Sequence, residues 1–530
     1  MKTDFSFETR MRAGFAALIL VFIFAPLLLR SVSAPYWFYD NFFNTLKISE
    51  NFREKGFPTF DGITPTNDFS LLWILMISGL SAVVSSKTTA FFILVRLVSG
   101  VALGCSLWLF NRLIDALEFK PEKETRFLAF SFLAALFLYA ALTGSDVALA
   151  VPCVFVAALS LLNALKHPSV KSGIVCGLAV SLCAFARFDS AAFFLTALLV
   201  FYFQFNRKDP ISSKQSLILL SGIVIGLIPL MFYADMLQTK FGSPVPAELL
   251  SWKMVQGSSV WRILVFVFYE PFRYILRMPD ALALMTFPVL LLLFVAYASF
   301  PWQEQKQTPK DTVFYSLIWY PIVYLTVLAA ATFIILPDYA FYPFAVGAPL
   351  ALMFVTNNID KKVNEKEKKQ ARTVWLTLGF LLMTIAFFSA IKPRSAYLPY
   401  VIRTISEFTD RNPGRYAMGY GAGFSSFMTG KDFVRLDGSA EDITFLDMLS
   451  KQDSLDKVFQ NYKVDYYIAV NIQKGENCYS AREPVQNRFG GTNKGMSDWL
   501  CAEPVFEKLA TPKRKISVFK INNAGKAETP

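Results

Sequence analysis

The side chains best equipped for chemistry in this sequence are charged groups placed beside apolar runs. Asp40 and Asn41 stand in Tyr36–Trp73, a polar and aromatic loop after the first apolar run, Ala13–Leu29, and Asp68 lies near its far end. Asp146 ends the turn TGSD, Arg187 and Asp189 belong to ARFD, and Lys240 and Lys253 flank FGSPVPAELLSWK. Asp338, Tyr339 and Tyr342 follow a later apolar run. A charge at the edge of a bilayer is costly unless it has a partner or a task. A carboxylate there can take the proton of an attacking hydroxyl, and cations can offset a phosphate. Together these residue types suit a phosphate-bearing substrate that is itself anchored in lipid.

The elements that must hold these groups are membrane helices. Of 530 residues, 54% are hydrophobic and 17% are charged, and 53 are Phe. Apolar runs of about 17–25 residues recur, long enough to cross a bilayer as helices. The expected spans, about eleven, are 13–30, 89–111, 127–143, 146–165, 172–186, 190–205, 216–233, 281–300, 312–336, 340–356 and 373–390. The first follows Lys2, Arg10 and Arg12 like a signal peptide, but its apolar run is long for one. Pro35 also follows the only small-residue cleavage site, so the segment reads as a retained anchor. With the N-terminus in the cytoplasm, the Lys/Arg-bearing connections 112–126, 166–171, 206–215 and 357–372 all fall inside, as positive-inside orientation requires. Phe69–Val84 and Ile263–Leu276 read as interfacial helices on the outer face. Under this topology the charged groups named above share that face.

An odd number of crossings leaves residues 391–530 outside. This segment is polar, has Gly-rich turns (GYGAGF, FGG) and strand-like runs (VDYYIAV, KISVFKI), and carries a helical stretch around Ile443–Tyr462. The chain therefore divides into a membrane module, 1–390, whose first outer loop is 31–88, and a small α/β domain, 391–530. Cys105, Cys153, Cys176 and Cys183 fall in apolar spans, where a thiol acts as a small hydrophobe. Cys478 and Cys501 both lie in the outer segment, where an oxidising compartment permits a disulfide; two unrelated thiols is the alternative.

Some classes are excluded. The net charge of +12 gathers in short loops with no basic-aromatic binding motif, so no nucleic-acid partner is expected. His167 is the only histidine, which rules out a His-ligated zinc site, and no nucleotide fingerprint stands out. Blander readings also stand beside the chemical ones. Asp40 and Asp146 could cap helices. Arg187 and Asp189 could be an interfacial pair reaching for water. Lys253 beside Trp252 could be an anchor, and Tyr339 and Tyr342 could belong to the aromatic belt.

In their order, these motifs resemble the GT-C superfamily of integral-membrane glycosyltransferases, most closely bacterial members related to arabinofuranosyl- and mannosyltransferases. The family's acidic pair in the first outer loop appears as Asp40-Asn41, followed by FFNTLKISENF. FDGITPTNDFSLLW is similar to a subgroup segment in which His-Pro replaces Ser70-Leu71. Gly144-Ser145-Asp146, Ala186-Arg187-Phe188-Asp189, and Phe241, Gly242, Ser243, Pro246 and Lys253 match later motifs. The resemblance implies a mainly α, polytopic helix bundle of GT-C type with a C-terminal extracytoplasmic α/β domain. It implies a bacterial plasma-membrane enzyme that moves a sugar from a polyprenyl-phosphate donor to an acceptor glycan, lipid or protein. Asp40 would be the general base. Arg187 and Lys253 would offset the leaving phosphate, while Asn41, Asp68, Asp146, Asp189 and Tyr342 would contact substrate. No cofactor is certain; a divalent cation is possible, although Asn41 in place of the second carboxylate weakens the case for a metal held by that pair. Two alternatives remain: a non-catalytic glycan-binding or assembly subunit on the same scaffold, and a lipid-linked glycan polymerase, ligase or transporter.

Overall fold

The chain is described by a computed structural model covering residues 7–29, 33–66, 70–141, 144–205, 213–244, 308–331, 337–360, 365–391, 398–419, 421–437, 443–484, 494–512 and 514–521, with a few positions between 291 and 298. Asp68, Lys253, the stretch Ile263–Leu276 and most of the expected span 281–300 lie outside the described residues.

Apolar runs without internal turn signals become helices. In chain order these are α1 (Phe7–Leu28), α2 (Asp40–Lys55), α3 (Leu71–Val83), α4 (Thr89–Ala116), α5 (Lys123–Ala141), α6 (Val147–Lys166), α7 (Val170–Ala186), α8 (Ala192–Phe205), α9 (Ser213–Gly226), α10 (Ile228–Phe241), α11 (Pro309–Ala331), α12 (Pro337–Asp360) and α13 (Glu365–Ile391). Among the described residues, four helices are long and apolar enough to cross a membrane, or five if the bent pair α9–α10 counts as one. The expected span 216–233 is bent. It breaks at Leu227, where the chain turns by 44°, and Pro229 beyond it supplies no backbone donor. The helices share one apolar core running from Phe15 on α1 to Ala386 on α13. Helices α7 and α9 touch backbone to backbone: a Cβ on Gly177 would lie 2.3 Å from the Ile223 carbonyl oxygen, and one on Gly226 would lie 2.4 Å from that of Ile174. Such small-residue contacts let membrane helices gain close packing where no hydrophobic driving force separates them from lipid. They also fix α7, whose C-terminal end carries Arg187.

The C-terminal region is α/β. Strands β1 (Tyr416–Met418), β2 (Phe433–Arg435), β3 (Tyr466–Val470), β7 (Phe506–Thr511) and β8 (Arg514–Lys520) form a sheet in the order β2-β1-β3-β8-β7. The pairs β2–β1 and β1–β3 are parallel, and β3–β8 and β8–β7 are antiparallel. A second sheet joins β4 (Gln473–Lys474), β5 (Tyr479–Glu483) and β6 (Met496–Leu500). The runs VDYYIAV and KISVFKI become β3 and β8. The helical stretch around Ile443–Tyr462 becomes two helices, α16 (Ile443–Lys451) and α17 (Leu455–Asn461), with Gln452 at positive φ between them. A disulfide joins Cys478 to Cys501 beside the paired ends of β5 and β6.

Two further helices, α14 (Leu398–Thr409) and α15 (Ala422–Thr429), tie this region to the rest. Phe424 and Phe427 on α15 enter the core of the membrane helices, where Phe43 of α2 lies 4.4 Å from the Phe424 ring. Ile48, Phe60 and Ile74 in turn share a core with residues of β1, β3 and β8. The first loop is thus clamped between the membrane helices and the α/β region. Sequence reading treats that region as a separate body.

Candidate functional site

Arg187 begins the chain's exit from α7, and its guanidinium is 5% exposed. Its Nη1 donates to Asp146 Oδ1 at 2.8 Å, and its Nε donates to Asp189 Oδ1 and Oδ2 at 2.8 and 3.1 Å. Asp189 also accepts from the Tyr324 hydroxyl at 2.6 Å and the Tyr342 hydroxyl at 3.2 Å, and Tyr320 donates to the Tyr342 oxygen at 3.0 Å. The Tyr342 ring lies under the guanidinium, 5.2 Å from Cζ. On the opposite side Ser70 donates to Asp146 Oδ2. Residues from four distant parts of the sequence therefore meet in one buried polar group. Among the described residues the group holds two carboxylates and one guanidinium.

This geometry corrects several of the blander readings. Asp146 occupies the N-cap position of α6, but its side chain makes no capping bond and turns to Arg187 and Ser70. Arg187 is buried in protein rather than reaching for water. Tyr342 is fully buried and bonded to Asp189, not part of an aromatic belt. Tyr339 is helical. Sequence reading missed Tyr320, Tyr324 and Ser70. The spacing of the two tyrosines in α11 places both hydroxyls on one helix face, a signal that an apolar helix has polar business.

Asp40 forms a second group. It is the first residue of α2, with Tyr39 at the cap position, so it does not cap that helix. Its side chain is 2% exposed. Oδ1 accepts from the Phe424 amide at 2.8 Å and Oδ2 from the Gly421 amide at 3.2 Å; Arg435 Nη2 lies 3.4 Å from Oδ2. Asp437 in turn binds Arg435 through both oxygens, the second at 2.6 Å. The carboxylate thus sits at the N-terminus of α15, where amides and the helix dipole favour an anion. Gly421 holds φ +98°, a conformation that disfavours side chains. The Gly-rich turn 419–424, which reads in sequence only as punctuation, is therefore the cradle for Asp40. Burial raises the Asp40 carboxyl above its ordinary value, while Arg435 and the two amides pull against that rise.

The two groups are neighbours. Gly144, two residues before Asp146, packs so tightly on the first turn of α2 that a Cβ would meet the rings of Phe38 and Phe42 at 2.5 and 2.7 Å. Asp40 and Asp146 therefore lie at the same end of the bundle. Asn41 is exposed on α2 and makes no side-chain bond to either group. The turn at Gly242 meets Ile443 of the α/β region. Among the described residues no three His, Cys, Asp or Glu side chains gather to hold a metal. Asp146 and Asp189 face one guanidinium and Asp40 faces another. Among the described residues that donor set does not fit a divalent cation.

No family model matches the chain, and no curated protein matches it by sequence. Solved structures do. ArnT from Cupriavidus metallidurans bound to undecaprenyl phosphate aligns with a TM-score of 0.49 and 12% identity, over 86% of this chain and 92% of that one. The arabinofuranosyltransferase AftD from mycobacteria aligns at 0.48 and 11%, over 97% of this chain but 40% of its own. The archaeal oligosaccharyltransferase AglB from Archaeoglobus fulgidus, in complex with an inhibitory peptide and a dolichol-phosphate, aligns at 0.50 and 12%, over 87% of this chain and 69% of that one. The chain has the GT-C fold. It is mainly helical with a small C-terminal sheet region, and it is a multi-pass membrane protein. The Asp40 group lies where the first loop meets the α/β region, and the Arg187 group where the end of that loop meets the ends of α6 and α7.

Proposed function

We propose that the protein is a glycosyltransferase that moves a sugar from a polyprenyl-phosphate donor to a glycan, lipid or protein acceptor at the outer face of a bacterial plasma membrane. The observation that carries this reading is the buried group of Arg187, Asp146, Asp189, Tyr324 and Tyr342 beside the first loop. Asp146 and Asp189 would receive sugar hydroxyls, and their excess negative charge would favour the cationic character that a sugar develops as its anomeric bond opens. The donor phosphate would take the place of one carboxylate on the Arg187 fork, whose geometry suits phosphate as well as carboxylate. Lys253 and Asp68, which lie outside the described residues, complete the proposed substrate contacts with Tyr342 and Asn41.

Asp40 would act as the base. Its two oxygens offer about four acceptor positions, and the three donors around it leave one for an acceptor hydroxyl entering along the seam between α2 and α15. The acceptor oxygen bonds to the anomeric carbon as its proton passes to Asp40. The anomeric bond to the phosphate breaks, and its electron pair leaves on the lipid phosphate. The C-terminal domain, 391–530, seats the acceptor.

The test compares membranes carrying wild type or Asp40→Ala, each supplied with a panel of radiolabelled polyprenyl-phosphate sugars. The wild type should label an acceptor, and the variant should do so at least about a hundredfold more slowly. Undiminished transfer by the variant removes Asp40 from the mechanism. No transfer by either form from any donor overturns the enzyme reading.

A further inference from the structure

The C-terminal region supplies every described polar partner of the Asp40 carboxylate. Oδ1 and Oδ2 accept from Phe424 and Gly421, and Arg435 stands at 3.4 Å, with both charged side chains 2% exposed. A buried ion pair gains little stability over an apolar replacement, so its presence is better explained by a role in specificity or chemistry than in holding the fold. Arg435 is itself oriented by Asp437, which grips it from beyond β2. Aromatic rings pack beside this pair, with Tyr36 stacked on Phe424 at 5.5 Å and Phe43 packed on both Phe424 and Phe427.

We propose that the C-terminal region completes the reaction centre, with Arg435 and the amides of Gly421 and Phe424 positioning the Asp40 carboxylate for proton abstraction. Arg435 is thus a positioning residue and not a catalytic one. The proposal rests on the reading of Asp40 as base. It adds a second requirement: a chain whose C-terminal region is undocked lacks a correctly held base even though Asp40 is intact.

The charged and titratable groups around Asp40 come from three elements. Arg435 and Asp437 lie at the end of β2. Glu483 on β5 packs against Gly419 and accepts from the Tyr467 hydroxyl at 3.0 Å. Lys47 on α2 lies 4.0 Å from Asp432. Only Arg435 is a cation within ion-pair distance of Asp40 among the described residues. Its removal leaves the ionised carboxylate buried with the two amide donors and near Asp437, with no cation in ion-pair distance among the described residues. That disfavours ionised Asp40 and, with it, the docked seam at neutral pH. Lowering the pH neutralises Asp40 and lifts the penalty.

The experiment uses the full chain in nanodiscs and follows backbone amide exchange across 419–429, expressed against the unstructured rate at each pH. Asp40→Ala should speed exchange there by about tenfold or more, the value of a hydrogen bond to a charged acceptor. Arg435→Gln should speed it at neutral pH, with a defect that shrinks as the pH falls, and a second change, Asp40→Asn, should relieve that defect. In transfer assays the acid limb of the Arg435→Gln rate profile should move to higher pH, while Arg435→Lys stays near wild type. Unchanged exchange in Asp40→Ala overturns the proposal. So does a pH-independent Arg435→Gln defect, or an acid limb that does not move. If wild type transfers no sugar, the enzyme reading falls, and the exchange measurements still decide whether the C-terminal region positions Asp40.

Discussion

Replacing Arg187 by Gln tests whether the polar group at the end of α7 is as buried as the structure has it. The guanidinium side chain is 6% exposed, and its partners Asp146 and Asp189 are 19% and 14% exposed. The change removes three donor contacts of 2.8, 2.8 and 3.1 Å and leaves two carboxylates with no counter-charge among the described residues. Breaking a buried pair by deleting one partner costs about 3–5 kcal/mol. Tyr324, Tyr342 and Ser70 still donate to those carboxylates, which places the expected loss at the low end, about 3 kcal/mol. Arg187→Lys keeps the charge but cannot span both partners. It should lose one charge-assisted hydrogen bond, about 1.5–3 kcal/mol. The assay is equilibrium unfolding in mixed micelles, with Arg187→Gln/Asp146→Asn as a double variant to show coupling within the group. An interfacial pair in water would be worth less than about 1 kcal/mol. If Arg187→Gln stays within that margin, the reasoning about a buried centre fails.

Other consequences can be measured separately. Gly177→Leu forces side-chain atoms into the α9 backbone, where even a Cβ would lie 2.3 Å from an oxygen; at overpacking costs of about 1–3 kcal/mol or more, it should lower the unfolding midpoint in micelles, and normal stability would contradict the α7–α9 packing. Cys478→Ser opens a link between residues 23 apart in sequence, so the region around β5 and β6 should lose about 3 kcal/mol and be cut faster by protease; unchanged cutting would contradict its constraint. The raised carboxyl of Asp40 acts as a base only when ionised, so sugar transfer should rise with pH through a limb above the usual carboxylate value of about 3.9. Stability has the opposite sign: a carboxyl raised in the folded state adds stability at low pH and loses it as pH rises through the folded value. The stability difference between wild type and Asp40→Asn should therefore grow in favour of wild type as pH falls, and a difference constant with pH would contradict the raised carboxyl.

What the sequence made legible was governed by periodicity and by order. Long apolar runs predicted α1, α4, α6 and α13 because membrane length needs little context. The strands VDYYIAV and KISVFKI stood out by composition. The turns carrying Asp146, Arg187 and Asp189 could be placed on one face because short loops leave few topologies. Position along the chain does not reveal partners. Ser70 reaches Asp146, and Tyr324 reaches Asp189, over separations that only packing can close. Asp40 lies still further in sequence from Gly421, Phe424 and Arg435, and nothing in the local spacing of GYGAGF announces that its amides await a carboxylate from the first loop. The break at Leu227 was hidden because hydropathy ignores backbone direction.

The most direct test is a cryo-electron microscopy map of the protein in nanodiscs with a polyprenyl-phosphate sugar bound. The phosphate should lie within hydrogen-bond reach of Arg187, about 3 Å, with the sugar against Asp146 and Asp189 and its anomeric carbon turned toward Asp40. A phosphate lodged away from Arg187, or a sugar whose anomeric carbon lies out of reach of Asp40, would contradict the account.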